Sequence, residues 1–462
     1  MAEHLIGLIH DLQPNCETYD SAFALNKKSH KKPSSYRVNR ALDALADVLV
    51  SEESEVFAVA ARMAPDKLTL TIASNANVKE RTIKHIQRIW EYLSALGDEY
   101  ARMQRQQKCS LTRDGDYDDE EEEEEEEEDE DAPPPKLQEM FEAQRLIAED
   151  FKRYMYEHSL QKLLQRLHGG SPERTGFESL KLVKDNKLLS KKSQQSLDKI
   201  VEVLNSVFEL FAASSNELPK GEDFGDFSLD IDLIDALVHE MFDDCIGELH
   251  HLDSLSNTQT TRYLKEVTSL TSSIGILLMY AISPHLRSRF LCGKHLGIEY
   301  VPSKQCNLEL PSTPEDYKPI AKSALTSQRS YWNNEGKSRD HIMQYYHANP
   351  NSTPVVPALV HCECALISYL LKGDISPPPF SYIGTSELSC LPCWKFLKCL
   401  REDLNINYQV RGTHNESHWP WKYPETTGAL YPDQAKKVQD SFYREIAHRY
   451  TECALRIRQE EE

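Results

Sequence analysis

The chain contains His361-Cys362-Glu363-Cys364-Ala365, then 24 residues, then Cys390-Leu391-Pro392-Cys393. One imidazole and two thiols are donor types that zinc takes, and a hydrolytic zinc site uses three protein ligands with a fourth position open to water. Two cysteines three apart at a helix start project the same way, and the positive end of the helix favours their thiolates. A histidine at the start of a second helix completes the set. Glu363 falls in that same first turn, close to the metal without needing to bind it. A carboxylate there can take a proton from a metal-activated water and deliver it to a leaving ammonia. The expectation is Zn2+ held by His361, Cys390 and Cys393, with Glu363 carrying the proton. The competing arrangement is a structural zinc closed by Cys362 or Cys364, which leaves no room for water.

These groups work together only if the surrounding elements present them. Pro357–Val360 leads into a helical stretch over 361–371. After a Gly-Asp and triple-proline linker come strand character over Phe380–Gly384, a helix from Cys390 to Leu400 and another strand over Tyr408–Gly412. Pro392 lies inside the cysteine pair, where a first helical turn tolerates it. Such alternation of strand and helix indicates an α/β layer. The N-terminal part has related character. Leu42, Leu45, Val48 and Leu49 keep helical spacing, and the strand-like runs Glu55–Met63 and Leu68–Ala73 flank the turn Ala64-Pro65-Asp66-Lys67. Helical patterns occupy the middle, over 80–103, Leu137–Leu167, Ser193–Ala213, Asp230–Leu249 and Thr260–Ile282.

The 462 residues are enough for two or three domains. The net charge is −21, but 16 carboxylates and no basic residue lie between Asp114 and Asp131. The remainder is only mildly acidic, so charge argues weakly against any partner. A like-charge block of this kind cannot bury apolar surface and is expected to be disordered. Eleven cysteines, spread from Cys16 to Cys453, lack the density of a secreted disulfide scaffold. Reduced thiols and an intracellular location, cytoplasmic or nuclear, are expected. The most apolar stretch, Ile274–Ile282, is far short of the ~20 residues that span a bilayer, so no membrane partner is expected. Lys181, Lys184, Lys187, Lys191 and Lys192 suit either phosphate contacts or a solvated helix face.

The H-x-E and C-x-x-C pair is the arrangement of nucleobase deaminases. The segment HCECALISYL…SYIGTSELSCLPCWKFL…YQVRGTHNESHWPWKYP resembles the OTT-type deaminase family, widespread in fungi and part of the cytidine-deaminase-like superfamily. The resemblance covers roughly residues 355–425. It implies His361, Cys390 and Cys393 as zinc ligands, Glu363 as proton shuttle, and no firm substrate. One departure is that Ser389, where the common signature has proline, precedes Cys390.

The superfamily fold begins helix, strand, strand before the H-x-E helix, and residues 38–73 supply that pattern. The resemblance therefore implies a three-layer α/β/α domain of cytidine-deaminase-like fold, split by a large, mainly α-helical insertion. The expected parts are a basic polar leader at 1–35, a first deaminase-like part at 36–78 and the insertion at 79–349, with its acidic run at 114–135. The second part, with the zinc site, occupies 350–440, and a C-terminal helix occupies 441–462. Related deaminases carry a substrate-contacting asparagine at the end of the second strand. Asn75, in Ser74-Asn75-Ala76-Asn77, is the candidate for that role.

Among the other residues, His414 of Gly412-Thr413-His414 suits a pocket wall that contacts a base, or a loop fastener. Trp419 and Trp421 suit stacking on a base or cover for a sheet edge. Cys362, Cys364 and Cys399 read as core. The function expected is a zinc-dependent, deaminase-like hydrolase acting on a nucleobase, cytosine first, in nucleic acid or nucleotide. The alternative is a non-catalytic helical scaffold with a structural zinc in a relic domain. Glu363 favours the enzyme, since a structural site has no need of that carboxylate. The size of the helical region favours the scaffold. Oligomeric state is not legible.

Overall fold

The computed structural model describes residues 1–12, 33–52, 55–111, 142–168, 194–195, 198–199, 201–202, 204–206, 258–309, 314–327, 355–373, 375–426 and 428–461. The acidic run, the lysines at 181–192 and the helix expected over 230–249 lie outside the described residues. In chain order the elements are α1 (Ala2–Leu12), α2 (Pro33–Val48), β1 (Phe57–Met63), β2 (Lys67–Ser74), α3 (Glu80–Leu111), α4 (Glu142–His168), α5 (Thr258–Ile282), α6 (Pro284–Phe290), β3 (His295–Val301), β4 (Gln305–Glu309), α7 (Pro314–Ser327), β5 (Val355–Leu359), α8 (Cys362–Leu370), β6 (Pro379–Thr385), α9 (Leu391–Leu404) and α10 (Pro432–Glu461). They fall into two compact units. The first comprises Met1–Ala46, Val56–Ile83 and Lys294–Glu462, and the second Asp47–Glu55 and Lys84–Gly293.

The first unit is mixed α/β. Its main sheet has the order β3-β2-β1-β6. β1 and β2 form the expected hairpin, in register from Phe57↔Ser74 to Met63↔Leu68, and the Ala64 N–H donates to the Lys67 carbonyl at 2.8 Å. Phe57–Ala61 and Leu68–Ser74 are buried without alternation, as strands covered on both faces are. β6 runs antiparallel to β1, and β3 runs parallel to β2 from Lys67↔His295 to Ala73↔Val301. Parallel neighbours need a crossover, and here the crossover is the chain between Ser74 and His295. β3 and β4 fall within the stretch expected to be helical. β4 pairs with β5 in a second, two-stranded sheet.

Helices hold this sheet in place. α8 packs on β1 and β2, and α10 packs on α1, α7 and α9. The closest approach is at Gly384 of β6. A Cβ there would lie 2.2 Å from the Leu42 carbonyl carbon and oxygen of α2, so only glycine permits the contact. Beside it, Asp43 accepts the Thr385 N–H at 3.0 Å and the Tyr382 hydroxyl at 2.6 Å.

Residues 2–12, which the sequence reading placed in a polar leader, form α1. Its Leu5, Ile6, Leu8, Ile9 and Leu12 make one apolar face and are buried in the core. α10 is one long charged helix over Pro432–Glu461. The strand expected over Tyr408–Gly412 is reduced to isolated parallel bridges, Tyr382↔Gln409 and Ser389↔Thr413. Gly412, at the end of this run, has a φ of +148°.

In the second unit α4 packs on α5. Buried Asp47 accepts from Lys162 Nζ at 2.9 Å and from Ser273 Oγ at 3.0 Å. Among the described residues, no single helix is long and apolar enough to cross a membrane.

Candidate metal centre

Both candidate ligand segments sit at helix starts. His361 is the N-cap residue of α8 and Cys390 that of α9, each in extended backbone, and neither side chain caps its own helix. Pro392 occupies the first turn of α9, where its missing N–H leaves no gap in the ladder. The side chains are thereby free to turn toward each other. His361 Nδ1 lies 3.3 Å from Cys390 Sγ, and one donor atom each of His361, Cys390 and Cys393 lie within 4.8 Å of one another. A tetrahedral zinc with bonds of about 2.0–2.3 Å needs donors about 3.5–3.8 Å apart. Small side-chain rotations would close that difference. Cys362 and Cys364 are not members of this three-donor group, although the Cys364 thiol hydrogen-bonds to Cys393. Three donors leave a fourth position open.

The electrostatics agree with a cation-binding role. Burial pushes the Cys390 and Cys393 thiols well above their ordinary range. Burial is the largest single influence on the His361 imidazole and lowers it, but Cys390 and Glu363 together outweigh it and the net shift is upward. Left to themselves, two such thiols stay protonated. A bound dication is what deprotonates buried cysteines, so the donor set suits a borderline-soft divalent metal.

Glu363 is buried beside this group. Its Oε2 lies 3.4 Å from Cys362 Sγ and 3.9 Å from Cys393 Sγ. The carboxylate thus reaches a candidate ligand without belonging to the donor trio.

Asn75 reaches the same place from the sheet. Its Oδ1 accepts the Cys362 N–H at 2.8 Å. Its own N–H donates to the Val56 carbonyl, and its carbonyl accepts from Ser303 Oγ. The first N–H groups of a helix have no partner within it, and His361 supplies no cap. Asn75 fills that role from β2, and the bond sets its amide so that Nδ2 is the remaining donor.

His414 belongs to a loop stitched to the start of α9. Its N–H donates to the Ser389 carbonyl, and the Leu391 N–H donates to the Glu416 carbonyl at 2.8 Å. The His414 ring stacks on His418 at 4.6 Å, and the His418 ring meets the edge of His361 at 6.5 Å. His414, Glu416 and His418 also bring donors within 4.8 Å of one another. His414 Nδ1 accepts the Glu416 N–H at 3.1 Å. This group borders the site. The sequence reading missed Glu416 and His418, which the alternation His414-Asn-Glu416-Ser-His418 would have flagged.

Of the two readings open for Trp421, the structure excludes the base platform. It is fully buried and stacks on Phe442 of α10 at 5.3 Å, so it cannot serve as a platform for a base. Its Nε1 donates to Cys393 Sγ at 3.4 Å. Trp419 lies over Gly7 of α1, where a Cβ would come within 3.3 Å of the indole.

Residues 360–425 match the family model described as OTT_1508-like deaminase, and the match supports assigning this segment to the OTT-type deaminases. It contains every member of the donor trio, Glu363 and the 412–421 loop. No curated protein and no solved structure matches the chain.

Proposed function

We propose that the first unit is a zinc-dependent deaminase acting on a nucleobase, cytosine first, in a nucleotide or nucleic acid. The observation that carries this reading is the buried Glu363 carboxylate beside a trio of His361, Cys390 and Cys393 that leaves a ligand position open. Zinc held by the trio would supply Lewis-acid activation of a water. In the reaction, water adds to the amine-bearing ring carbon, the C–N bond breaks and ammonia leaves. Glu363 takes the proton from the water and delivers it to the departing nitrogen. Asn75 Nδ2, with its amide oriented by Cys362, offers a donor to a substrate oxygen. His414 and His418 form one wall.

The fold reading follows from the same elements. α2, β1 and β2 supply the helix, strand and strand that precede the H-x-E helix in a cytidine-deaminase-like three-layer domain. The second unit then stands as an insertion between the two parts of that domain.

The test combines zinc-edge X-ray absorption with an assay of ammonia release on the full chain. Substrates would be cytosine and adenine nucleotides and single-stranded oligonucleotides. Two sulfurs, one nitrogen and one light ligand, together with ammonia release, are expected. A site of three or four sulfurs without turnover would instead favour the scaffold reading.

A further inference from the structure

We propose that Trp421 is a positioning residue of the metal centre: its indole N–H orients the Cys393 sulfur and limits the charge that sulfur gives to the metal. The inference rests on the metal reading above and goes beyond it by assigning an outer residue.

The contact is a 3.4 Å bond from Trp421 Nε1 to Cys393 Sγ, with both residues fully buried. An indole N–H is a donor only and does not titrate, so the bond can run in one direction alone. The other described side chains at this sulfur are different in kind. Glu363 Oε2 at 3.9 Å carries negative charge when ionised, and Cys364 and Cys390 are themselves thiols. Among the described side-chain contacts of Cys393, Trp421 alone is a fixed donor. An N–H directed at a thiolate withdraws electron density from it, and the metal bound there becomes a stronger Lewis acid. Partners of this kind orient ligands and tune the metal.

The indole is also held in place from several directions. Phe442 stacks on it with an interplanar angle of 25°, and Tyr423 meets it edge-on. The next residue, Lys422, donates its N–H to the Leu359 carbonyl at 2.9 Å and pairs through Nζ with Glu3 of α1 at 3.2 Å. Four residues earlier, Ser417 Oγ donates to the Ile6 carbonyl at 3.2 Å.

The test uses the full chain with cobalt(II) in place of zinc, whose thiolate-to-metal charge-transfer band reports the electron density on sulfur. Three variants are compared with wild type: Trp421→Phe, Trp421 replaced by 3-benzothienylalanine, and Trp419→Phe. The benzothienyl side chain keeps the bulk of indole and replaces its N–H with sulfur, so it separates hydrogen bonding from packing. In both Trp421 variants the band is expected to move to lower energy, with Trp419→Phe unchanged. If the benzothienyl variant matches wild type in band position, Trp421 is packing only and the proposal is overturned while the metal site stands. A wild-type chain that takes up cobalt without a thiolate band, or takes up none, overturns the metal reading and this inference with it.

Discussion

Asn75, at the end of β2, accepts the N–H of Cys362 at 2.8 Å across 287 positions of sequence. That bond joins the hairpin of the N-terminal segment to the first turn of the helix that carries Glu363. It also explains how His361 can stand at the N-cap of α8 without capping it. The first N–H of the helix is satisfied by Asn75, and the imidazole is free to face Cys390.

Asn75 therefore has a structural duty that can be separated from a substrate contact. Asn75→Ala leaves the Cys362 N–H without its partner and is expected to cost about 1–3 kcal/mol. Asn75→Asp keeps an acceptor oxygen but loses the amide donor. It should retain most of the stability and lose kcat/KM. Thermal melts and steady-state kinetics on the two variants check this, and full activity in the Asp variant would leave Asn75 as a cap alone.

Glu363→Gln preserves the shape of the side chain and removes its capacity to carry a proton. Turnover is expected to fall by about 10²–10⁴, with metal content unchanged. Metal analysis beside the rate measurement distinguishes this from loss of the site.

Removing the metal should destabilise the protein, because a ligand bound only by the folded state adds about 2.7 kcal/mol at a hundred times its Kd. A chelator is expected to lower the melting temperature and added zinc to restore it. Cys393→Ser and His361→Ala should both weaken that response. A melting curve indifferent to chelator and zinc in the wild type would count against the site.

Gly384→Ala places a methyl group 2.2 Å from the Leu42 backbone. α2 must then lift from β6 and strain the Asp43 bonds to Thr385 and Tyr382. Overpacking of this kind costs about 1–3 kcal/mol or more, to be read from denaturant midpoints.

His85 gives the second unit a pH dependence. Burial, reinforced by His158, holds its pKa well below the usual 6.5. The unfolded chain takes up a proton near 6.5, whereas the folded chain resists until lower pH. Its contribution to stability is thus complete above 6.5 and lost as pH falls from there toward the folded pKa. Unfolding midpoints measured between about pH 7.5 and about pH 5 should fall with pH, and less steeply in His85→Gln.

The two helix starts, the adjacent carboxylate and the β1–β2 hairpin were legible because each depends on residues close in sequence, whereas the donor trio, which joins two helices 29 residues apart, was legible from its residue types and the resemblance. Spacing within one turn brings Glu363 near His361, and Cys393 near Cys390, whatever surrounds them. The metal-facing turn of His361 was implied by its residue type. The Asn75 bond that permits it was not, since its partners come from elements far apart in the chain. Tertiary structure decided three further matters. It set β3 beside β2, a pairing that exists only because the crossover returns there. It buried α1, whose short apolar face has no meaning until α10 is there to receive it. It also turned Trp421 from a residue suited to stacking on a base or covering a sheet edge into a donor to Cys393, because α10 covers its ring. Residue type set what each side chain could do; packing among elements distant in sequence set which of those possibilities the fold uses.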